Sequence, residues 1–204
     1  INGVPASLAG GQGSANGEFG PVSTADIYYA STSSASANGL SGQSMRIAIP
    51  AIQRYNMTIA TINPAVAKSA TNNLSLNYLG GVATVKITGP HALRQVSLMG
   101  KNNRRLAGSG GVDMSTETAR LSLNPDAAKE IVVDCGSAGV NIESGATFRF
   151  VLPADDYSEG FTLSMLDTNG QTLSQEVAGC TINRNAVTAL EDVEWLSAQG
   201  DGNN

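Results

Sequence analysis

Between Ile131 and Gln171 three short apolar runs, at residues 131–133, 147–152 and 161–166, alternate with polar turns. Gly136, Gly139 and Gly145 punctuate the first gap, and Pro153 with Asp155-Asp156 opens the second. Asp167-Thr168-Asn169-Gly170 closes the third run. An Asn-Gly pair reaches positive φ in a tight turn without strain. Apolar runs of this length, bounded by turn residues, predict antiparallel strands.

The same alternation extends upstream. Residues 25–30 predict a strand, and Met45, Ile47 and Ile49 share one face of another. Pro50 ends that strand or marks an edge, because it offers no N–H to a ladder. The stretch 53–73 is ambiguous. Met57, Ile59 and Ala60 fit a strand, and Pro64 to Ala70 makes one helical turn at most, so the stretch reads as a link. Leu74, Leu76 and Tyr78 alternate, Gly80-Gly81 interrupts, and residues 82–87 run as a strand with Lys86 inside. Gly89-Pro90 turns the chain toward a strand marked by Val96, Leu98 and Met99, and residues 100–105 form a polar loop. Leu121 with Leu123, Cys180 to Ile182, and Val187 to Trp195 complete the series. Strands at roughly ten-residue intervals predict an all-β sandwich. No amphipathic helix of normal length and no repeat period emerge.

The chain has 204 residues, 41% of them apolar and only 14% charged. A core can be built, while Ser, Thr, Asn and Gly replace the usual charges at the surface. A net charge of -5 argues against nucleic acid, which demands clustered Lys and Arg, and against anionic lipid. No apolar run is long enough to span a bilayer as a helix. Residues 1 to about 45 are rich in Gly, Ser and Ala, and such stretches bury little surface. The expected organisation is therefore the C-terminal part of an N-terminal sandwich plus a linker over 1–72, a C-terminal sandwich over 73–196, and a flexible tail over 197–204.

Several segments, in order, carry a family resemblance: residues 49–55 (IPAIQRY), 74–82 (LSLNYLGGV), 106–108 (LAG), 133–136 (VDCG), 150–153 (FVLP), 160–162 (GFT) and 167–170 (DTNG). Over about residues 27–190 this series resembles the Bacteroidales fimbrillin-like family. The resemblance implies tandem antiparallel β-sandwich domains of fimbrillin type, the first incomplete in this chain. It implies a cell-adhesion role as a structural or accessory fimbrial subunit, at the cell surface or outer membrane. Partners would be other subunits or surface ligands such as glycans, and a lipid anchor is not visible in the chain. Docking would proceed by β-strand addition, with residues 187–195 as donor or edge strand. The alternative is a glycan-binding surface module.

Candidate chemistry is sparse. His91, the single histidine, follows Gly89-Pro90 and reads as a turn residue in solvent. Asp155, Asp156 and Glu159 form an acidic loop that falls short of the six to eight oxygens calcium takes. The segment from Asp167 to Gly170 resembles part of a calcium loop, but a hairpin turn accounts for it. Lys101, Arg104 and Arg105 make a small basic patch suited to an acidic glycan or partner. Gly108-Ser109-Gly110-Gly111 lacks the following helix that a phosphate cradle requires. Trp195, Tyr28, Tyr29, Tyr55 and Tyr157 are the aromatics best able to stack on a sugar, and Trp195 reads as a core plug. Cys135 and Cys180 either bridge, if their strands are neighbours, or act as small buried hydrophobes. Asn56-Met57-Thr58 and Asn73-Leu74-Ser75 match glycosylation acceptors by chance. No catalytic, cofactor-binding or metal-binding residue is assigned, no cofactor is expected, and the chain reads as a non-enzyme.

Overall fold

The computed structural model describes residues 28–31, 44–70, 75–114 and 118–196. The low-complexity stretches before residue 44, the strand residues expected at 25–27, Asn73-Leu74 and the tail from 197 lie outside them. Along the chain come β1 (Tyr28–Ser31), β2 (Ser44–Ile49), β3 (Ile52–Arg54), a 3-10 turn at Ile59–Thr61 and β4 (Ala65–Ser69). Next are β5 (Asn77–Tyr78), β6 (Gly80–Thr88), β7 (Ala92–Gly100), a second 3-10 turn at Lys101–Asn103, β8 (Gly108–Asp113) and β9 (Arg120–Leu123). Then follow β10 (Glu130–Asp134), β11 (Val140–Asn141), β12 (Ala146–Pro153), β13 (Asp155–Tyr157) and β14 (Phe161–Asp167). The chain closes with β15 (Thr172–Val177), β16 (Cys180–Ile182), β17 (Val187–Ala189) and β18 (Val193–Glu194). The protein is all-β, as its alternation predicts.

Two sheets enclose the main core. One runs β15-β14-β7-β10-β3, with β11 also on β7; the other runs β12-β6-β17, with β18 also on β6. Alternating residues from both converge inside: Leu163 and Met165 of β14, Val96 and Leu98 of β7, Ile131 and Val133 of β10, Val85 and Ile87 of β6, Phe148 and Phe150 of β12. Phe148, Phe150 and Phe161 are among the largest fully buried side chains. A smaller core of Ile47, Val66, Leu79, Val112, Met114 and Ala119 lies among β2, β4 and β8.

The ladders are mostly antiparallel, as expected, with three parallel exceptions at sheet margins: β3 on β10, and β17 and β18 on β6. Parallel neighbours need long connections. Here many residues separate each pair in sequence, so the chain can cross over. Three ladders join residues on the two sides of the division expected at 72/73: β2 with β8, β3 with β10, and β4 with β5.

Two local readings are corrected. Residues 65–69 form strand β4 rather than a helical turn; β4 lies between β1 and β5, where its backbone finds partners on both sides. Gly80 and Gly81 do not interrupt but begin β6. A Cβ on Gly80 would lie 2.5 Å from the Leu152 carbonyl oxygen, so the closeness of β12 demands glycine there. Of the strand positions expected near Met57, Ile59 and Ala60 lie in a 3-10 turn instead.

Strand β3 and the segment between β3 and β4 are stitched to the second sheet by two buried amides. Gln53, 1% exposed, donates from Nε2 to the Val151 carbonyl (2.8 Å) and accepts the Val151 N–H at Oε1 (2.9 Å). Its Nε2 also donates to the Pro50 carbonyl at 3.1 Å. Asn63, 2% exposed, does the same for Gly80: its Nδ2 donates to the carbonyl (3.2 Å) and its Oδ1 accepts the N–H (3.1 Å). Each side-chain amide imitates a neighbouring strand residue, so buried edge groups of β12 and β6 stay paired.

Candidate functional site

The turn from β14 into β15 is organised by one carboxylate. Asp167 Oδ1 accepts the backbone N–H groups of Asn169 (2.8 Å) and Gln171 (2.7 Å), and Gly170 supplies φ of +83°. The hairpin reading of Asp167 to Gly170 is therefore the observed one. Asp167 Oδ2 meets His91 Nδ1 at 3.2 Å. Burial pushes the Asp167 carboxyl up, but the donors from Gln171, His91 and Asn169 outweigh it and hold it below its ordinary value.

His91 is not in solvent. Its side chain is 6% exposed, and its ring stacks on Trp195 with centroids 4.1 Å apart and planes 20° apart. The signal that could have found this was the Trp, the one large aromatic near the C-terminal strand. Stacking covers one face, Asp167 holds Nδ1, and Nε2 is buried without a hydrogen-bond partner. The pair has no nucleophile in the contacts that define it. Trp195, 6% exposed, plugs the core as expected.

The basic patch is spent on neighbours. Lys101 pairs with Glu176 at 2.5 Å, and Arg104 pairs with Asp155 and lies over the Tyr157 ring. Arg105 donates to the Pro125 carbonyl. The acidic loop is divided in the same way: Asp155 meets Arg104, Asp156 accepts from Thr181, and Glu159 accepts from Asn102. Tyr157 is buried, with its hydroxyl donating to the Pro153 carbonyl, and burial together with Asp155 raises its pKa. No group of three metal-ligating side chains occurs among the described residues. Gly108 to Gly111 lie in β8, paired with β2.

Both cysteines are free and half-buried, at the end of β10 and in β16, which belong to different sheets. Burial, with Asp134 beside it, pushes the Cys135 thiol up to about 12. Tyr55 is half-buried, 5.2 Å from Phe148 by ring centroid. Tyr28 and Tyr29 belong to β1.

The expected edge segment does lie at a margin. β17 and β18 take short parallel places on β6, three and two residues long. Leu190, Val193 and Trp195 reach into the core, whereas Val187 is 68% exposed.

The comparisons with known proteins stand beside this geometry. No protein-family model matches the chain, and no curated protein matches it. Among solved structures, the chain is similar to a "putative cell adhesion protein" from Bacteroides ovatus ATCC 8483, with 14% identity and a TM-score of 0.47 over 87% of this chain. The match covers 59% of that protein's chain, so the chain spans somewhat more than half its length. Another protein of the same description, from Bacteroides uniformis ATCC 8492, is 10% identical, with a TM-score of 0.49 over 78% of this chain and 70% of that one. No helix among the described residues is long and apolar enough to cross a membrane.

Proposed function

We propose that the chain is a structural or accessory subunit of a bacterial surface adhesive assembly, of fimbrillin type, that docks to its neighbours by β-strand addition. The observation that carries this reading is the margin formed by residues 187–195. β17 ends its sheet on the side away from β6, with no strand paired beyond it among the described residues, and its one side-chain bond to β16 is from the Thr188 hydroxyl to the Thr181 carbonyl. An unpaired row of N–H and C=O groups is a template for a further strand. Val187 stands exposed on this margin, while Leu190, Val193 and Trp195 anchor the segment in grooves of the core. Anchored apolar side chains on a short ladder are also what an exchanged strand would carry. The sequence resemblance to fimbrillin-like proteins supports the same reading, in which the partners are other subunits or surface ligands at the outer membrane or in a fimbrium. No catalytic role is proposed, because the buried His91–Asp167 pair serves a turn and a stack.

Light scattering after size exclusion, over a range of concentrations, tests the proposal. Concentration-dependent oligomers that weaken in Val187→Lys, with an unchanged unfolding midpoint, are expected. A strict monomer at every concentration, or oligomers indifferent to Val187→Lys, would overturn docking through this edge.

A further inference from the structure

A second margin, on the opposite side of the sandwich, carries unspent positive charge. Here the edge strand β3 of one sheet comes beside the edge strand β12 of the other. Between them lies a cleft lined by Arg54, Tyr55, Asn56, Met57, Thr147 and Arg149, among others. Neither guanidinium has an ion-pair partner among the described residues, in contrast to Lys101 and Arg104. Lys86 adds a third cation: it stands opposite Thr147 in the β6–β12 ladder, on the same outward face as Arg149. The acidic neighbour is Asp134, opposite Arg54 in the β3–β10 ladder, and its Oδ1 already accepts the Gly136 N–H.

The backbone contributes as well. Val151 turns its N–H and C=O away from β6, toward Gln53. Alternate residues of a strand point the same way, so Arg149 and Thr147 direct theirs to the same side. The Gln53 amide occupies this edge at Val151 only. Beside Arg149 and Thr147 no strand pairs with this edge among the described residues, so it offers N–H donors at the cleft that Arg54 and Arg149 line.

We propose that this cleft binds an acidic polysaccharide, a carboxylate or sulfate group sitting between Arg54 and Arg149 with the sugar ring lying along Tyr55 and Asn56. Planar guanidinium forks match carboxylate and sulfate oxygens. The enclosed volume is about 10 Å³, room for one water-sized group. An anionic oxygen therefore enters while the ring remains on the hydroxyl- and amide-bearing rim. The apolar side chains that line the cleft, Met57, Ile59, Ile62 and Val133, are half-buried or buried, and its exposed positions are Arg54, Asn56, Thr147 and Arg149. This site lies on a different margin from the docking edge proposed above and does not depend on the chain assembling.

Affinity electrophoresis tests it on the full chain, with polygalacturonate as the carboxylated probe, heparin as the sulfated probe and dextran as the neutral control. Retardation by at least one acidic polymer and none by dextran is expected, and the responsive polymer identifies which anion is read. Arg149→Ala should weaken binding by about tenfold, and Arg54→Ala with Arg149→Ala should abolish it. Arg149→Lys should recover part of the loss, because it keeps charge without the fork. Both arginines are exposed, so the unfolding midpoint should not move. Failure of both acidic polymers to bind would overturn the proposal. So would binding that survives the double substitution, since it would place the anion elsewhere.

Discussion

Replacing Gln53 by Leu removes the amide that closes the sandwich margin. Leucine fills similar space but offers no polar atoms. The Val151 N–H and C=O would then lose their partners 2.9 Å and 2.8 Å away, and the Pro50 carbonyl would lose a third contact. Each buried backbone group left unpaired costs about 1–3 kcal/mol. The two groups on Val151 set a range of about 2–6 kcal/mol, and burying an apolar side chain in place of an amide offsets part of it. We expect a net loss of about 3 kcal/mol, a large share of the roughly 5–15 kcal/mol that holds a domain together. With a urea dependence of about 2 kcal/mol per M, the unfolding midpoint should fall by about 1.5 M.

Two further readouts separate this mechanism from a packing defect. In hydrogen exchange the Val151 amide should lose protection more than those of its neighbours Phe150 and Leu152, whose hydrogen bonds run to β6. In Gln53→Glu the carboxylate accepts the Val151 N–H but faces the Val151 carbonyl with no proton. Burial raises such a group's folded pKa above its unfolded value of about 4.3, so the stability deficit should shrink as pH falls and the acid form donates. A midpoint shift in Gln53→Leu smaller than about 0.3 M would refute the reasoning, because water would then be satisfying Val151 as well as the amide does.

The Asp167 carboxyl is held below its ordinary value of 3.8, so it stabilises the fold above that pH and the benefit is lost as pH falls through the lower folded value. Asp167→Asn should therefore lower stability at pH 7 and flatten the acid limb of a plot of unfolding midpoint against pH. His91→Ala removes the ring that Trp195 stacks on, and should cost about 1–3 kcal/mol in urea unfolding while quenching or shifting the Trp195 fluorescence less cooperatively than wild type. The Cys135 thiol, raised to about 12, should alkylate with iodoacetamide at pH 8 far more slowly than free cysteine until urea unfolds the chain.

Most of the strands were legible because they follow a period of two against one of the two cores. Leu163 and Met165 of β14 alternate with Thr162 and Ser164, and the structure buries the first pair more deeply than the second. The Asp167 turn was legible for the same local reason, as its chemistry is complete within five residues. What escaped was everything set by a distant partner. β4 read as a link with one helical turn at most, because nothing nearby in sequence announces β1 and β5 on its two sides. His91 looked exposed because a Gly-Pro turn precedes it, whereas Trp195 and Asp167, which bury it, follow 104 and 76 residues later. Gln53 and Asn63 gave no sign of these contacts: the amide of a short strand or of an Asn-Pro turn reads as solvent-facing. Their meaning lies in Val151 and Gly80, 98 and 17 residues away, whose edge groups would otherwise be buried without partners. The pattern of misses has a physical content. Local alternation specifies the sheets, and long-range polar contacts specify how their margins are closed. In a chain with little charge, those margins are also where its unspent chemistry lies. At the β3–β12 margin the Gln53 amide pairs Val151 but leaves Arg149 and Thr147 open, so the contact that completes the fold also fixes how much edge remains for a ligand.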